Sequence, residues 1–282
     1  MKFIAKPLVL ACILAGGLTA CQENKPMGRS VTNTAISQQT TKEAPADSKE
    51  VKTGNNKQST CSTPPMAVTS STYEYQLPKD IAQQCQKNNN CPEIDVSFIH
   101  TGQAWIDNTI NFGKPDITHK AGIARLKEHL DTGVEEYRTT DGTSDYGYDE
   151  RSEYHSCYKH LEQFVQHGYV YAGGAHGVYG DTYFIFDMKD KKRIALNDVA
   201  DLTALTPLAK ATYDDYNRTQ DLYEARQGTD IELSEVRPFY FAPDGLVLVF
   251  NPYELGTYAE GIIELKIPYE KLSGVVDKKY LP

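Results

Sequence analysis

One histidine-rich stretch has the residue types of a metal site. His155, Cys157 and His160 lie close together, and His167 and His176 follow further along the chain. Imidazole nitrogen and thiolate sulfur are ligands that Zn²⁺ prefers in proteins. A thiolate ligand would compete with disulfide formation at Cys157, so we interpret these histidines as strand or surface residues. We expect neither a metal site nor a cofactor.

The glycine-rich segment Gly173–Gly177 has two interpretations. As an anion-binding nest, it would point successive backbone N–H groups at one ligand. As a tight turn, it would reverse the chain, with His176 bonding locally. We favour the turn and keep His176 as a candidate binding residue.

A second candidate segment is acidic and runs from Asp141 to Glu150. Its carboxylates at Asp141, Asp145, Asp149 and Glu150 do not have the spacing of the familiar calcium-binding loop. We therefore predict a solvent-exposed loop here, with a domain boundary near its end.

Familiar catalytic motifs are absent from the sequence. It has no phosphate-binding loop, no G-x-S-x-G elbow, no H-E-x-x-H pair and no dinucleotide-binding fingerprint. We expect a non-catalytic protein.

The start of the chain has the pattern of a bacterial export signal. Lys2 and Lys6 accompany an apolar stretch from Leu8 to Leu14, which is short of the roughly 20 apolar residues that a transmembrane helix needs. Leu18–Cys21 then resembles a lipobox. We expect residues 1–20 to be a signal peptide that is removed.

Cys21 is the expected lipidation site. An acylated cysteine would anchor the protein to the membrane through lipid alone, with the rest of the chain in the cell envelope. Gln22, rather than an aspartate, follows Cys21, which favours the outer membrane.

The charge of the chain limits its partners. The formal net charge is −9, and loss of Lys2 and Lys6 with the signal makes the mature chain more acidic still. Such a surface repels phosphate backbones, which argues against nucleic acid, and it steers cationic partners toward the protein.

Four cysteines remain for the folded part, and an even number in an oxidising compartment predicts two disulfides. Three pairings are possible. We favour Cys85 with Cys91, because the intervening residues form a polar turn, which leaves Cys61 for Cys157.

Composition and hydrophobic pattern predict an α+β protein with two small mixed domains, antiparallel sheets and packed helices. Residues 21–60 have almost no large apolar side chain and form a predicted disordered tether. The first domain then covers 61–150 and the second covers 151–282.

Within the first domain, alternation predicts strands at Tyr73–Leu77 and Ile94–Phe98. Apolar spacing predicts helices at Ala104–Ile110 and Thr118–Tyr137, the second weakened by Gly122 and Gly133.

The second domain is predicted to contain mostly strands. They are Val165–Tyr171, Tyr183–Phe186, the hairpin Phe239–Phe250 with its Pro-Asp-Gly turn, and Gly261–Ile267. Between them, a helix is predicted to start at Thr206 and Pro207, which suit the N-cap and first helical positions.

Several segments of this half occur in an order that resembles the RsiV-type extracellular domain. They are Tyr171–Gly177, Asn197–Val199, Phe239–Leu246, Asn251–Leu255 and Gly261–Tyr269. Residues 72–150 are similar to the companion domain that precedes it in RsiV and in the peptidoglycan deacetylase PdaC.

This resemblance implies a protein-binding or cell-wall-facing module, because RsiV recognises lysozyme. RsiV also has a sigma-binding segment and a transmembrane helix, and PdaC has a deacetylase domain. We find none of these three parts in this sequence, so we carry over neither the anti-sigma activity of RsiV nor the deacetylase activity of PdaC. The expected partner is a cationic lysozyme, or alternatively peptidoglycan, and the candidate binding residues are Tyr253, Glu254 and His176.

Overall fold

A six-stranded sheet runs through most of the molecule. The structure, a computed structural model, describes residues 61, 65–139, 146–226 and 228–282. The strands, in spatial and chain order, are β1 (Thr69–Tyr73), β2 (Glu93–His100), β3 (Gly147–Tyr158), β4 (Leu161–Tyr171), β5 (Val178–Asp187) and β6 (Lys192–Ile194). Neighbouring strands pair antiparallel, except that β2 and β3 are parallel.

Three helices cover one face of this sheet. They are α1 (Lys79–Asn88), α2 (Ala104–Phe112) and α3 (His119–Thr139), and the last two agree with the predicted helices. Leu126 and Leu130 of α3 pack with Val96 and Phe98 of β2 in one buried cluster. The parallel β2–β3 pair requires a long crossover, which α2 and α3 supply.

The two glycines of α3 allow close packing that a larger residue would prevent. A Cβ at Gly122 would lie 2.4 Å from the Phe112 ring, and one at Gly133 would overlap the Tyr146 hydroxyl group. The glycines that lower the helix propensity of α3 therefore make room for two aromatic rings.

A three-stranded antiparallel sheet covers the opposite face. It consists of β7 (Phe239–Ala242), β8 (Gly245–Phe250) and β9 (Ile263–Pro268), in that spatial order. Three helices precede it: α4 (Leu196–Val199), α5 (Leu202–Thr219) and α6 (Tyr223–Arg226). Val165 and Ile185 of the large sheet share a buried cluster with Phe241, Leu246 and Leu248. Helices and mixed sheets together confirm the α+β class.

The predicted domain boundary at 150/151 falls inside β3. This strand pairs with β2 through residues 147–150 and with β4 along its whole length. One sheet therefore contains strands from both predicted domains, because β3 carries the hydrogen-bond ladder across the boundary.

Three local predictions need correction. The first strand is Thr69–Tyr73, so it ends where the predicted strand begins. Helix α5 begins at Leu202, with the Asp201 carboxylate accepting from two backbone N–H groups, so Asp201 rather than Thr206 is the N-cap and Pro207 lies inside the helix. Asp141 and Asp145 lie outside the described residues, whereas residues 147–150 of the predicted exposed loop are part of β3.

The described part of the chain contains two disulfides, with the pairing favoured from the sequence. Cys85 joins Cys91, which connects the end of α1 to the segment before β2. Cys61 joins Cys157 across a sequence separation of 96 residues, which ties the start of the described chain to β3.

Among the described residues, no helix has both the length and the hydropathy that crossing a bilayer requires. The predicted signal peptide, Cys21 and the tether lie outside the described residues.

Candidate functional site

Two of the sequence-predicted loops meet at one end of the large sheet. The turn between β4 and β5 contains His176, and the loop after β8 contains Asn251 and Tyr253. Asn251 attaches the second loop to β5, because its Oδ1 accepts from the Asp181 N–H at 2.8 Å and its Nδ2 donates to the Asp181 carbonyl at 3.3 Å. The Asn251 amide thereby forms hydrogen bonds with the Asp181 N–H and carbonyl groups of β5, as the backbone of a neighbouring strand would.

Four rings from these two loops and their flanks form what we call the aromatic patch, namely His176, Tyr179, Tyr253 and Tyr258. The His176 ring stacks on Tyr258 with 3.9 Å between centroids, and Tyr179 meets Tyr258 edge-on at 5.4 Å. Tyr253 lies 5.8 Å from Tyr258 and 6.2 Å from His176. The patch therefore joins the β4–β5 turn and the start of β5 to the connection between β8 and β9.

Hydrogen bonds set the orientation of the His176 ring. Its Nδ1 lies 2.9 Å from the carbonyl oxygen of Gly177, and its Nε2 lies 3.0 Å from the Tyr253 hydroxyl. A carbonyl oxygen only accepts, so Nδ1 carries the proton in the neutral ring. Nε2 then accepts from the Tyr253 hydroxyl, which links the two loops.

Tyr253 has an unusual backbone conformation. Its φ is +71°, in the left-handed region, and its relative exposure is 59%. A bulky residue there is costly, by roughly 1–2 kcal/mol, whereas glycine adopts this conformation readily. An exposed aromatic side chain is therefore present where glycine would relieve backbone strain.

Glu254, the third predicted binding residue, bonds within the protein. Its Oε2 accepts from Arg237 Nη1 at 2.7 Å and from the Asn251 backbone N–H at 2.6 Å. Arg237 also lies over the Phe250 ring at 4.3 Å. These contacts hold the Tyr253 loop against β8.

Three of the residues that were considered for a metal site have other partners in the structure. Cys157 is in a disulfide, and His155 packs against the rings of Tyr183 and Tyr240 at 5.2 and 4.5 Å. His167 pairs with Asp181 at 2.7 Å, and this hydrogen bond raises the pKa of His167.

Sequence reasoning missed a second site, a pocket between α2, α3 and the large sheet. It has a volume of about 50 Å³. Its lining residues are Ile110, Asn111, Phe112 and Gly113 at the end of α2, Gly122, Arg125, Leu126 and His129 on α3, and Tyr148, Glu150, Gln166 and Phe184 on the sheet.

Glu150 is the acidic group of this pocket, and its relative exposure is only 8%. Its Oε2 accepts from the Tyr148 hydroxyl at 2.8 Å, and its Oε1 accepts from Gln166 Nε2 at 3.2 Å. Gln166 also contacts the Ser152 hydroxyl at 3.2 Å. The carboxylate is thus held in one position on the sheet side of the pocket.

Burial raises the pKa of Glu150 to about 6, although the hydrogen bond from Tyr148 opposes this shift and the nearby charge of Asp149 adds to it. Burial likewise lowers the pKa of His129, whose ring meets Tyr148 edge-on at 5.7 Å. Perturbed groups that line one pocket mark a candidate functional site.

A signal for this site exists in the sequence. Tyr146, Tyr148, Glu150 and Ser152 recur at every second position, which is typical of a strand with one buried face. The acidic and glycine-containing composition of Asp141–Glu150 outweighed that alternation and favoured an exposed loop.

Comparison with known proteins identifies a family domain in the second half of the chain. Residues 192–270 match DUF3298, described as a protein of unknown function. This range runs from β6 to the residues just after β9. No curated protein sequence matches the chain.

Solved structures share the fold over a longer part of the chain. A DUF3298 family protein from Pseudomonas aeruginosa PAO1 aligns with a TM-score of 0.58 over 78% of this chain and 98% of its own, at 17% identity. A DUF3298 family member from Bacteroides fragilis NCTC 9343 aligns with a TM-score of 0.52 over 66% of this chain and 85% of its own, at 22% identity. A DUF3298 domain therefore occupies residues 192–270, within a fold that this chain shares with both of these proteins.

Proposed function

We propose that this protein is an exported envelope lipoprotein, anchored through Cys21, whose folded part binds another protein without catalysing a reaction. The proposed binding surface is the aromatic patch. The proposed partner is a cationic lysozyme, as in the RsiV-type domain that this chain resembles.

The backbone conformation and exposure of Tyr253 are the main support for this proposal. The residue is exposed and has a φ of +71°, so its side chain is retained at a cost to folding. Tyrosine is also a frequent hot-spot residue in protein interfaces, because its ring buries a large area and its hydroxyl bonds at the rim. Binding is a reason to keep such a side chain on the surface.

Charge supports a cationic partner. The chain has a formal net charge of −9, which accelerates encounter with a basic protein and makes the association sensitive to salt. Many envelope proteins are acidic, so the charge by itself selects a class of partner rather than one protein.

Calorimetric titration of the full chain in detergent against a c-type lysozyme, at low and high salt, tests the proposal. We expect binding that weakens as salt increases. Tyr253→Gly should lower the affinity at least about tenfold, the typical effect of losing a hot spot. Its melting temperature should stay the same or rise, since glycine relieves the positive φ.

Val236→Ala is the matched control, because Val236 is 66% exposed and is not part of the aromatic patch. This variant should bind like the wild type. Absence of lysozyme binding at both salt concentrations would refute the lysozyme proposal. Retention on purified peptidoglycan without lysozyme would then favour the alternative, a cell-wall binding module.

A further inference from the structure

Glu150 is a buried carboxylate without a cationic partner. Its two hydrogen bonds come from neutral groups, Tyr148 and Gln166, and among the described residues no lysine, arginine or histidine forms an ion pair with it. A buried charge without a counter-ion is costly, and this one faces a pocket. The pocket is the place where a cation would relieve that cost.

The opposite wall of the pocket is basic. Arg125 and His129 lie on α3 and line the pocket from the helix side. Arg125 forms no ion pair with the described part of the chain, and burial lowers the pKa of His129, which keeps its ring neutral. The pocket thus has an acidic side on the sheet and a basic side on the helix.

We propose that this pocket binds a small free α-amino acid, with its ammonium group at Glu150 and its carboxylate at Arg125. A zwitterion satisfies both walls at once. A simple amine would leave Arg125 without a partner, and a simple carboxylate would face Glu150.

Size and lining restrict the ligand further. A volume of about 50 Å³ holds roughly three to five water-sized groups, so glycine and alanine are the best candidates. Phe112, Leu126 and Phe184 form apolar walls that suit a methyl group. A divalent metal is a poor alternative, because the described residues contain no group of three or more His, Cys, Asp or Glu side chains that could hold one.

Calorimetric and thermal-shift titration of the full chain with glycine, L-alanine and D-alanine tests the proposal, with ethylamine and propionate as probes that each carry one charge. At least one amino acid should bind and raise the melting temperature. Both single-charge probes should bind at least about tenfold more weakly. Equal binding of ethylamine and the amino acids would overturn the role of Arg125.

Two variants locate the site. Glu150→Gln keeps the size and one acceptor oxygen, which can still accept from Tyr148. Arg125→Gln changes a half-buried helix residue, so at least one of the two variants should fold normally. Each should lower amino-acid affinity at least about tenfold. Glu153→Gln, an exposed change on the same strand, should bind like the wild type. Unchanged binding in both site variants, or no binding of any amino acid to the wild type, would refute the proposal.

The pH dependence of amino-acid binding provides a further test of the Glu150 contact. Because burial raises the pKa of Glu150 to about 6, the carboxylate is mostly ionised at pH 7.5 and mostly protonated at pH 5. Amino-acid binding should therefore weaken about tenfold at pH 5 in the wild type and much less in Glu150→Gln. Equal pH dependence in the two proteins would contradict an ammonium contact at Glu150.

Discussion

Replacing Glu150 by glutamine should change how the stability of this protein depends on pH. Burial raises the pKa of Glu150 from 4.5 to about 6 in the folded protein. The folded state therefore retains a proton between these values that the unfolded state has already lost. The contribution of Glu150 to stability is fully present below pH 4.5 and is lost as pH rises through about 6.

The size of this effect follows from the shift in pKa. One pKa unit corresponds to about 1.4 kcal/mol, so the Glu150 shift corresponds to about 2 kcal/mol in the free energy of unfolding. Glutamine has no charge to desolvate and can still accept from Tyr148. Relative to the wild type, Glu150→Gln should therefore gain about 2 kcal/mol between pH 4 and pH 7.

Urea unfolding followed by circular dichroism, at half-unit steps from pH 4 to pH 7.5, measures this difference. His129 contributes with the opposite sign, because burial lowers its pKa and its contribution is lost as pH falls below 6.5. Subtracting the wild-type curve from the variant curve removes that contribution. The exposed control Glu232→Gln should give a flat difference. Parallel curves for Glu150→Gln and the wild type would refute the assignment of a buried, ionisable carboxyl group.

Three other changes test the framework around the two sites. Cys157→Ser removes the disulfide with Cys61, which spans 96 residues, and should lower the free energy of unfolding by about 4–5 kcal/mol in the chain-entropy model. A loss below about 1 kcal/mol in urea unfolding would contradict that model. Glu260→Gln removes a two-point ion pair with Arg226, at 2.6 and 2.5 Å, and should cost about 1 kcal/mol at neutral pH. Because Arg226 lowers the pKa of Glu260 to about 2, this contribution is present above pH 4.5 and is lost as pH falls toward 2, so equal costs at pH 7 and pH 2 would contradict it. Asn251→Ala removes two hydrogen bonds to the β5 backbone, so it should lower the free energy of unfolding by about 1–3 kcal/mol and weaken lysozyme binding. Weaker binding with an unchanged free energy of unfolding would show that the amide does not hold the loop.

Local patterns were sufficient for the elements with regular spacing. Helix α3 and strand β2 lie where spacing of three or four and alternation place them, and the Pro-Asp-Gly segment forms the predicted hairpin turn. These elements depend mostly on neighbours in the sequence and on which face is apolar. The start of α5 was harder, because Asp201 and Thr206 are both acceptable N-cap residues and only the first has backbone N–H groups to accept from.

The pocket could not be predicted from local pattern. Glu150 lies in an acidic stretch, and its burial results from β3 pairing with β2 while α3 crosses above it. The aromatic patch was predicted in part, since His176 and Tyr253 were both candidates. Their contact depends on Asn251 reaching β5, which joins residues about 70 positions apart.

The sequence by itself determined the α+β class, most of the regular elements and the favoured disulfide pairing, because periodicity, turn residues and cysteine spacing are local or countable properties. Only the tertiary structure decided that one sheet crosses the expected boundary, that His167 pairs with Asp181, and that Glu150 lines a pocket without a counter-ion among the described residues. Those outcomes depend on strand pairing and on the docking of α3, which are long-range contacts whose energies are shared among many residues.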